Sequence, residues 1–543
     1  MMKKYIAVIV FILFLLAFPA DVFAGASNLI PIREFFESEG GEVFWCEDER
    51  LIIVYYNGGH ITIPAEGTDA VVNRYPIELQ SEVVIYEGRA YLNIFDFLSL
   101  LVAAIDIQVV SFSLTEEARD IVLYDFDYMV NVTLENAVWD NIIYRRLGID
   151  FDEHVAFYRE FIEEKNTFEA FYMPEHLPVR GGDDPLDMAA DYLSHLLLHM
   201  FTAPFEGIGH LAPREMTMYR MMLTSLLRAY AHQEQHTSAD IELIRSIKDV
   251  YTHPQAIWFY GEYEVDIYEE SGAFPIIPGN VVTEIIEDGK IAYMRIQSFL
   301  SDLDYDDAII FPFLHEIKDF ENLVIDIRGN TGGSVMYFNA LILMRILREN
   351  KIVQSHQFFT GGEEAKKVMQ RYHDMLESFG EDSFWMEFSR LEIMQTADFV
   401  YEMGGMPYFN QDDKARLVYV LVIEETLFPY RLPQFARVDF GGKLWLLVDE
   451  MSMSASVNAA LAVMATGMGT VVGENTSGVT GPEATYIMLP NTGIIWRLDI
   501  GHLTDNYGRS LEEFGVTPHI HNYEGMDALE TVLYIIQKKE NGR

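Results

Sequence analysis

Hydrophobic and polar positions fall into three regimes along the chain. Near the start, Leu51-Ile52-Ile53-Val54-Tyr55-Tyr56 runs into Asn57-Gly58-Gly59 and then His60-Ile61-Thr62-Ile63. Two β-type runs around an Asn-Gly turn predict a hairpin. A further run over 83–92 leads into an apolar, helix-like segment over 94–104. From about 135 to 275 apolar residues recur at helical spacing, for example over 189–200 and 216–232, with a Pro/Gly-rich interruption at 178–185. Beyond 280, short apolar runs at 291–296, 323–327, 417–423 and 444–448 alternate with helical stretches. That alternation predicts an α/β layer with a largely parallel or mixed sheet.

The first residues add a segment that belongs to none of these regimes. Met1-Met2-Lys3-Lys4, an apolar run over 5–18, Pro19 and the small-residue site Val22-Phe23-Ala24 follow the order of a secretory signal peptide, with cleavage expected after Ala24 or Ala26. The run is shorter than the roughly 20 residues of a spanning helix, and no later segment reads as a span. An uncleaved N-terminal anchor is the alternative. The expected location is extracytoplasmic, secreted or at a bacterial cell surface. The expected organisation is a signal peptide over 1–26, a small α+β module over 40–113, a helical region over 135–275 and an α/β core over 280–540.

Composition narrows the partners. The 543 residues are 50% hydrophobic, enough for more than one buried core, and they carry a formal net charge of -46. Such a chain repels phosphate backbones and anionic membranes, and no basic patch offsets this, so nucleic acid is excluded as an expected partner. The single cysteine, Cys46, excludes an intramolecular disulfide framework and any multi-cysteine metal site, and is expected to be a buried packing residue. No cofactor or metal is expected.

Two strand-to-helix turns carry candidate chemistry. The run 323–327 feeds Arg328-Gly329-Asn330-Thr331-Gly332-Gly333-Ser334, where glycines let the backbone turn tightly and present N–H groups to a ligand oxygen. The run 444–448 feeds Asp449-Glu450-Met451-Ser452-Met453-Ser454-Ala455-Ser456 and then an Ala/Met-rich helix. A serine there is exposed at a helix N-terminus, as a nucleophile requires; the same serines also suit plain helix capping.

Taken together and in order, these turns, the segment Val471-Val472-Gly473-Glu474-Asn475-Thr476-Ser477-Gly478, the strand at 290–296, Leu489-Pro490-Asn491-Thr492-Gly493 and Glu512-Glu513-Phe514-Gly515-Val516-Thr517-Pro518 resemble the core of the tail-specific (C-terminal processing) and tricorn-core serine peptidases. The resemblance spans about 288–521 and implies a ClpP/crotonase-like β-α core acting on peptide or protein substrates. It implies Ser454 as nucleophile, with the N–H of Ala455 and the pair Gly332 and Gly333 as the oxyanion hole; Ser452 and Ser456 are second choices. Tail-specific members take a base lysine from the position of Val479, and valine cannot accept a proton. The tricorn-like branch implies instead His210, within Gly207-Ile208-Gly209-His210-Leu211, as general base and Glu512 as orienting acid, with Glu513 as fallback. No PDZ-type loop is found between His210 and Gly289. Residues 42–113 resemble the copper amine oxidase N-terminal-type module of exported bacterial proteins, which implies cell-surface or cell-wall association without copper chemistry.

Two rival readings remain. His195 with His199, and His232 with His236, share helix faces as zinc ligands do, but Leu196 and Gln233 stand where a zincin needs glutamate, so packing or surface histidines are the simpler account. A catalytically inactive binding scaffold of the same fold is the other, prompted by the departures at Val479, Val457, Ile208 and His519.

Overall fold

The computed structural model describes the chain from Leu29 to Asn541 except residues 39–41, 47–49, 57–58, 66, 73–74, 80–82, 87–88, 94–96, 98–99, 101–107, 138, 173–176, 203–211, 215, 232–237, 264–275, 379–388, 430–436 and 479–482. The expected signal segment, most of the apolar stretch 94–104, and Ile208, His210, His232, His236 and Val479 lie outside the described residues. The chain divides into two compact units, Met1–Glu116 with Lys165–Glu206, and Glu117–Glu164 with Gly207–Arg543.

In the first unit the expected hairpin forms: Leu51–Tyr56 pairs antiparallel with Gly59–Pro64, Tyr56 opposite Gly59. Both belong to a five-stranded antiparallel sheet whose strands follow chain order, with Glu42–Cys46 at one edge and Tyr75–Glu78 at the other. Cys46, expected to be buried, is half-buried, because it ends an edge strand that is covered on one side only. The run 83–92 splits into Val84–Tyr86 and Arg89–Asn93, and the latter also pairs with Leu29–Pro31. Inside the stretch read as helical lies a strand, Thr167–Tyr172, held by Gln108–Ser113. A two-stranded pair whose partner is distant in sequence leaves no local helical or turn signal to read. The helix Pro185–Thr202 packs on this pair and stacks His195 on Phe112, ring centroids 4.4 Å apart.

The second unit is built on a six-stranded sheet in the order Val281–Glu287, Ile291–Ile296, Asn322–Asp326, Lys443–Val448, Gly469–Gly473, Ile520–His521. The first pair is antiparallel and every later pair is parallel. Alternation sends Leu323, Ile325, Leu444 and Leu446 to one face, against the helices Leu303–Glu316 and Ala455–Thr466, and Val324, Trp445 and Leu447 to the other, beneath the helix Ala528–Asn541. Strands covered on both faces read as continuous apolar runs, and each such side chain contributes about 1.5–3 kcal/mol on burial.

The apolar run at 417–423 does not join this sheet. It lies in Tyr419–Leu427, a strand of a separate antiparallel sheet ordered Ser389–Gln395, Tyr419–Leu427, Lys351–Phe359, His502–Thr504. A short apolar run looks alike in either setting; hydrogen-bond partners decide.

The helices of 117–164 belong with this core. On the helix Glu116–Asn136, buried Asp125 accepts hydrogen bonds from the Thr492 N–H (2.8 Å), the Thr492 hydroxyl (2.7 Å) and the Asn491 N–H (3.1 Å). It thereby fixes the turn of the hairpin Ala484–Met488 and Ile495–Asp499.

Candidate active site

In a parallel sheet the carboxyl ends of neighbouring strands open on one side, where ligands bind. Asn322–Asp326 and Lys443–Val448 are neighbours in register, Asp326 opposite Leu447, so the glycine turn after one and the serine turn after the other are side by side by topology alone.

The serine turn starts at Asp449. Its Oδ1 accepts from the N–H of Met451 (3.1 Å), and the one hydroxyl proton of Ser452 is shared between Asp449 Oδ1 and the Ile327 carbonyl, each 3.1 Å away. Ser452 is therefore a buried tie between two strand ends. Ser456 is fully buried on the following helix, and its hydroxyl has no hydrogen-bond partner among the described residues. Ser454 differs from both. It is half-buried, sits at the N-cap with φ 51° and ψ -118°, and makes no side-chain capping bond. A left-handed φ on a residue with a Cβ stores about 1–3 kcal/mol of strain. Among the described residues only Arg50 and Glu483 share that feature.

The glycine turn is packed directly on this serine. A Cβ built on Gly332 would lie 2.7 Å from the Met453 carbonyl oxygen, 2.7 Å from the Ser454 Cβ and 2.9 Å from the Ala455 nitrogen. Only a glycine permits that approach. The Gly332 N–H is occupied, donating to Asn330 Oδ1 at 2.9 Å. The Gly332 carbonyl accepts from the Phe299 N–H and the Phe299 carbonyl from the Ser334 N–H, each at 2.9 Å. The amides of Gly333 and Ala455 make no hydrogen bond among the described residues. Of the glycine pair, then, Gly333 keeps an available amide and Gly332 supplies the close approach.

Upstream, Asp326 anchors the turn. It accepts from the Arg328 N–H (3.0 Å), from the Arg328 guanidinium (2.7 Å at the shortest) and from the Tyr293 hydroxyl (2.8 Å). Asp326, aided by Asp527, holds the Arg328 guanidinium above its usual pKa, and burial, reinforced by Asp326, pushes the Tyr293 hydroxyl up to about 12.

Glu512 and Glu513 lie in the short helix Leu511–Phe514 and have different surroundings. Glu513 holds both carboxylate oxygens on Arg145, at 2.8 and 2.7 Å, and Arg145 also pairs with buried Asp413 at 2.8 Å. Burial works against the charge of Arg145, but Glu513 and Asp413 outweigh it and raise its pKa. Glu512 is fully buried, and its carbonyl accepts from Arg146 at 2.7 Å. Residues 475–478 run between this helix and the serine turn: the Ser477 N–H bonds the Ser452 carbonyl (3.1 Å), the Val516 N–H bonds the Thr476 hydroxyl (2.8 Å), and Arg146 also reaches the Ser477 carbonyl (3.2 Å). Arginines 145 and 146, and the braces at Asn330 and Asp449, gave no sign of their roles in the sequence, because their partners are remote or are backbone atoms.

The remaining expected positions are placed as follows. Val457 is fully buried in the core. His519 Nδ1 accepts from the Val471 N–H at 3.0 Å, capping a strand edge. His195 donates from Nδ1 to the Asp191 carbonyl (2.9 Å), and burial lowers its pKa to about 4; burial lowers that of His199 too. Among the described residues no group of three His, Cys, Asp or Glu side chains is arranged to hold a metal, and no helix is long and apolar enough to cross a membrane.

Residues 290–522 match the model of peptidase family S41, and residues 21–106 that of the copper amine oxidase N-terminal domain. No curated protein matches the chain. Among solved structures, mature CPAF is 12% identical, with 78% of this chain and 96% of that one covered and a TM-score of 0.40. The photosystem II D1 C-terminal processing protease is 15% identical over 46% of this chain and 45% of its own (TM-score 0.25), and the tricorn protease 11% identical over 92% and 41% (TM-score 0.30). The segment that matches the peptidase family S41 model, residues 290–522, holds both turns and the buried Glu512.

Proposed function

We propose that this chain is an exported serine-type peptidase that hydrolyses peptide bonds through Ser454, with His210 as general base and Glu512 as the acid that orients the imidazole. The observation carrying this reading is the backbone of Ser454, held at φ 51° between a buried strand and a buried helix with its hydroxyl unused in capping. Strain of that kind persists where the surroundings over-determine it, and a serine on a strand-to-helix turn offers its Oγ to substrate beside a helix N-terminus.

In acylation, Ser454 Oγ attacks the scissile carbonyl carbon while its proton passes to a neutral His210, whose ordinary pKa of about 6.5 suits that task. The C–O bond forms as the carbonyl π pair moves to oxygen, where the N–H groups of Ala455 and Gly333 receive the charge. Collapse breaks the C–N bond, and the imidazolium returns the proton to the leaving amine; water then repeats the sequence to free the acyl product. Glu512 is favoured over Glu513 as orienter because both oxygens of Glu513 are committed to Arg145. The signal-type N-terminus supports export, and the copper amine oxidase N-terminal-type domain supports a surface or cell-wall setting.

The test uses the purified chain with dye-labelled casein and a fluorophosphonate probe. Wild type is expected to hydrolyse casein and take one label at Ser454, Ser454→Ala to lose both, His210→Ala to lose turnover, and a chelator to change nothing. Wild-type turnover in Ser454→Ala defeats the proposal. Inhibition by the chelator alone supports the zinc reading, and equal inertness of all three proteins supports the inactive scaffold.

A further inference from the structure

Beyond the groups that touch substrate, we propose that Asn330 and Asp449 are positioning residues that lock the glycine turn to the serine turn, and that Asn330 selects which glycine amide faces the oxyanion. This rests on the reading of Ser454 as nucleophile.

Asn330 is fully buried and uses every polar group it has. Its N–H donates to the Ile327 carbonyl (3.1 Å), its Nδ2 to the Ile296 carbonyl (3.1 Å), its Oδ1 accepts from the Gly332 N–H (2.9 Å), and its carbonyl accepts from the Met453 N–H (3.0 Å). One side chain and its backbone thus join the ends of two neighbouring strands, the glycine turn, and the residue just before Ser454. Asp449 braces in the opposite direction, from the serine turn back to the glycine turn. Its Oδ1 accepts from the Gly329 N–H (2.9 Å) as well as from Met451 and Ser452.

The selection follows from direction. Within one trans peptide the carbonyl of a residue and the N–H of the next point in opposite directions. The Gly332 carbonyl accepts from the Phe299 N–H, so the Gly333 N–H, on the same peptide, points away from Phe299. Asn330 removes the competing Gly332 N–H by accepting from it, which leaves Gly333 and Ala455 as the donor pair. Oxyanion donors act only within a few tenths of an ångström of the position where charge develops, and a displacement of about 1 Å costs on the order of 100-fold in rate.

The test compares Asn330→Ala, Asp449→Ala and Asp449→Asn. All three donors to Asp449 noted above converge on one oxygen, which an asparagine amide also supplies. With dye-labelled casein, Asn330→Ala and Asp449→Ala are expected to lose about 100-fold in kcat per folded molecule with KM within about twofold, while Asp449→Asn stays within about threefold of wild type. The rate constant for fluorophosphonate labelling at saturation should fall in parallel. A role in stability alone would lower the melting temperature and leave kcat per folded molecule intact, and that result overturns the proposal. So does an Asp449→Asn variant as impaired as Asp449→Ala. Should Asn330→Ala fail to fold, the Asp449 pair decides. Wild-type turnover in Ser454→Ala sinks the nucleophile reading, whereas an inert Ser454→Ala beside a fully active Asn330→Ala and Asp449→Ala sinks the brace alone.

Discussion

Replacing Gly332 by alanine adds a single methyl group at the closest point between the two turns. At φ +96° that methyl sits in a backbone region disfavoured for residues with a Cβ, at about 1–2 kcal/mol. It also lies 2.7 Å from the Met453 carbonyl oxygen, 2.7 Å from the Ser454 Cβ and 2.9 Å from the Ala455 nitrogen. None of these is the far end of a flexible side chain, so relief requires the turns to separate. Overpacking of this kind costs about 1–3 kcal/mol, for a total of about 2–5 kcal/mol. Because the atoms that must move carry the proposed nucleophile and a proposed oxyanion donor, kcat should fall about 100- to 1,000-fold. Gly329→Ala is the matched control: it has φ +72° and nothing within 4 Å of its added Cβ, so it carries the strain without the clash. Urea unfolding and casein hydrolysis of both variants separate the terms. Equal kcat for Gly332→Ala and Gly329→Ala would refute the claim that the close approach builds the site.

The three neighbouring serines should behave differently. Ser456→Ala removes a buried hydroxyl without a described partner and is expected to leave activity unchanged and stability unchanged or raised by up to about 1 kcal/mol, whereas Ser452→Ala should cost about 1–2 kcal/mol and keep phosphonate labelling; loss of labelling in either would reopen the choice of nucleophile. Arg145→Ala leaves buried Asp413 and the Glu513 carboxylate uncompensated and should destabilise this unit by about 3 kcal/mol in urea unfolding. Burial holds His356 and His502 at pKa values of about 4, against about 6.5 when unfolded, so between these values the unfolded chain binds protons that the folded chain refuses. Stability should therefore be full above pH 6.5 and fall by about 3 kcal/mol per histidine as pH drops towards 4. His502→Gln should flatten the slope of unfolding free energy between pH 7 and 5, and an unchanged slope would remove His502 as a source.

Sequence alone determined the layered α/β class, the strands on which both turns are mounted, and the hairpin around Asn57-Gly58. These are local properties: alternation, continuous apolar runs and Asn-Gly or Gly-Gly turns reflect the chain's own stereochemistry. It also made Ser454 the candidate nucleophile, though only through an ordered set of motifs, because capping and nucleophilic serines obey the same local preferences. Tertiary structure decided the rest. The strand Thr167–Tyr172 and the four-stranded sheet that holds Tyr419–Leu427 depend on pairing with distant partners, and the helices of 117–164 join the core through Asp125 on Asn491 and Thr492 and through Arg145 on Asp413 and Glu513. Glu512 and Glu513 are adjacent in sequence and chemically alike; the fold separates them by burying Glu512 fully and setting Glu513 on Arg145. Likewise Gly332 and Gly333 read as equals, and the Asn330 side chain, by binding one amide and leaving the other, makes them different. A linear pattern records which face a residue prefers, but hydrogen-bond partners remote along the chain exist only once the sheet has brought its strand ends together.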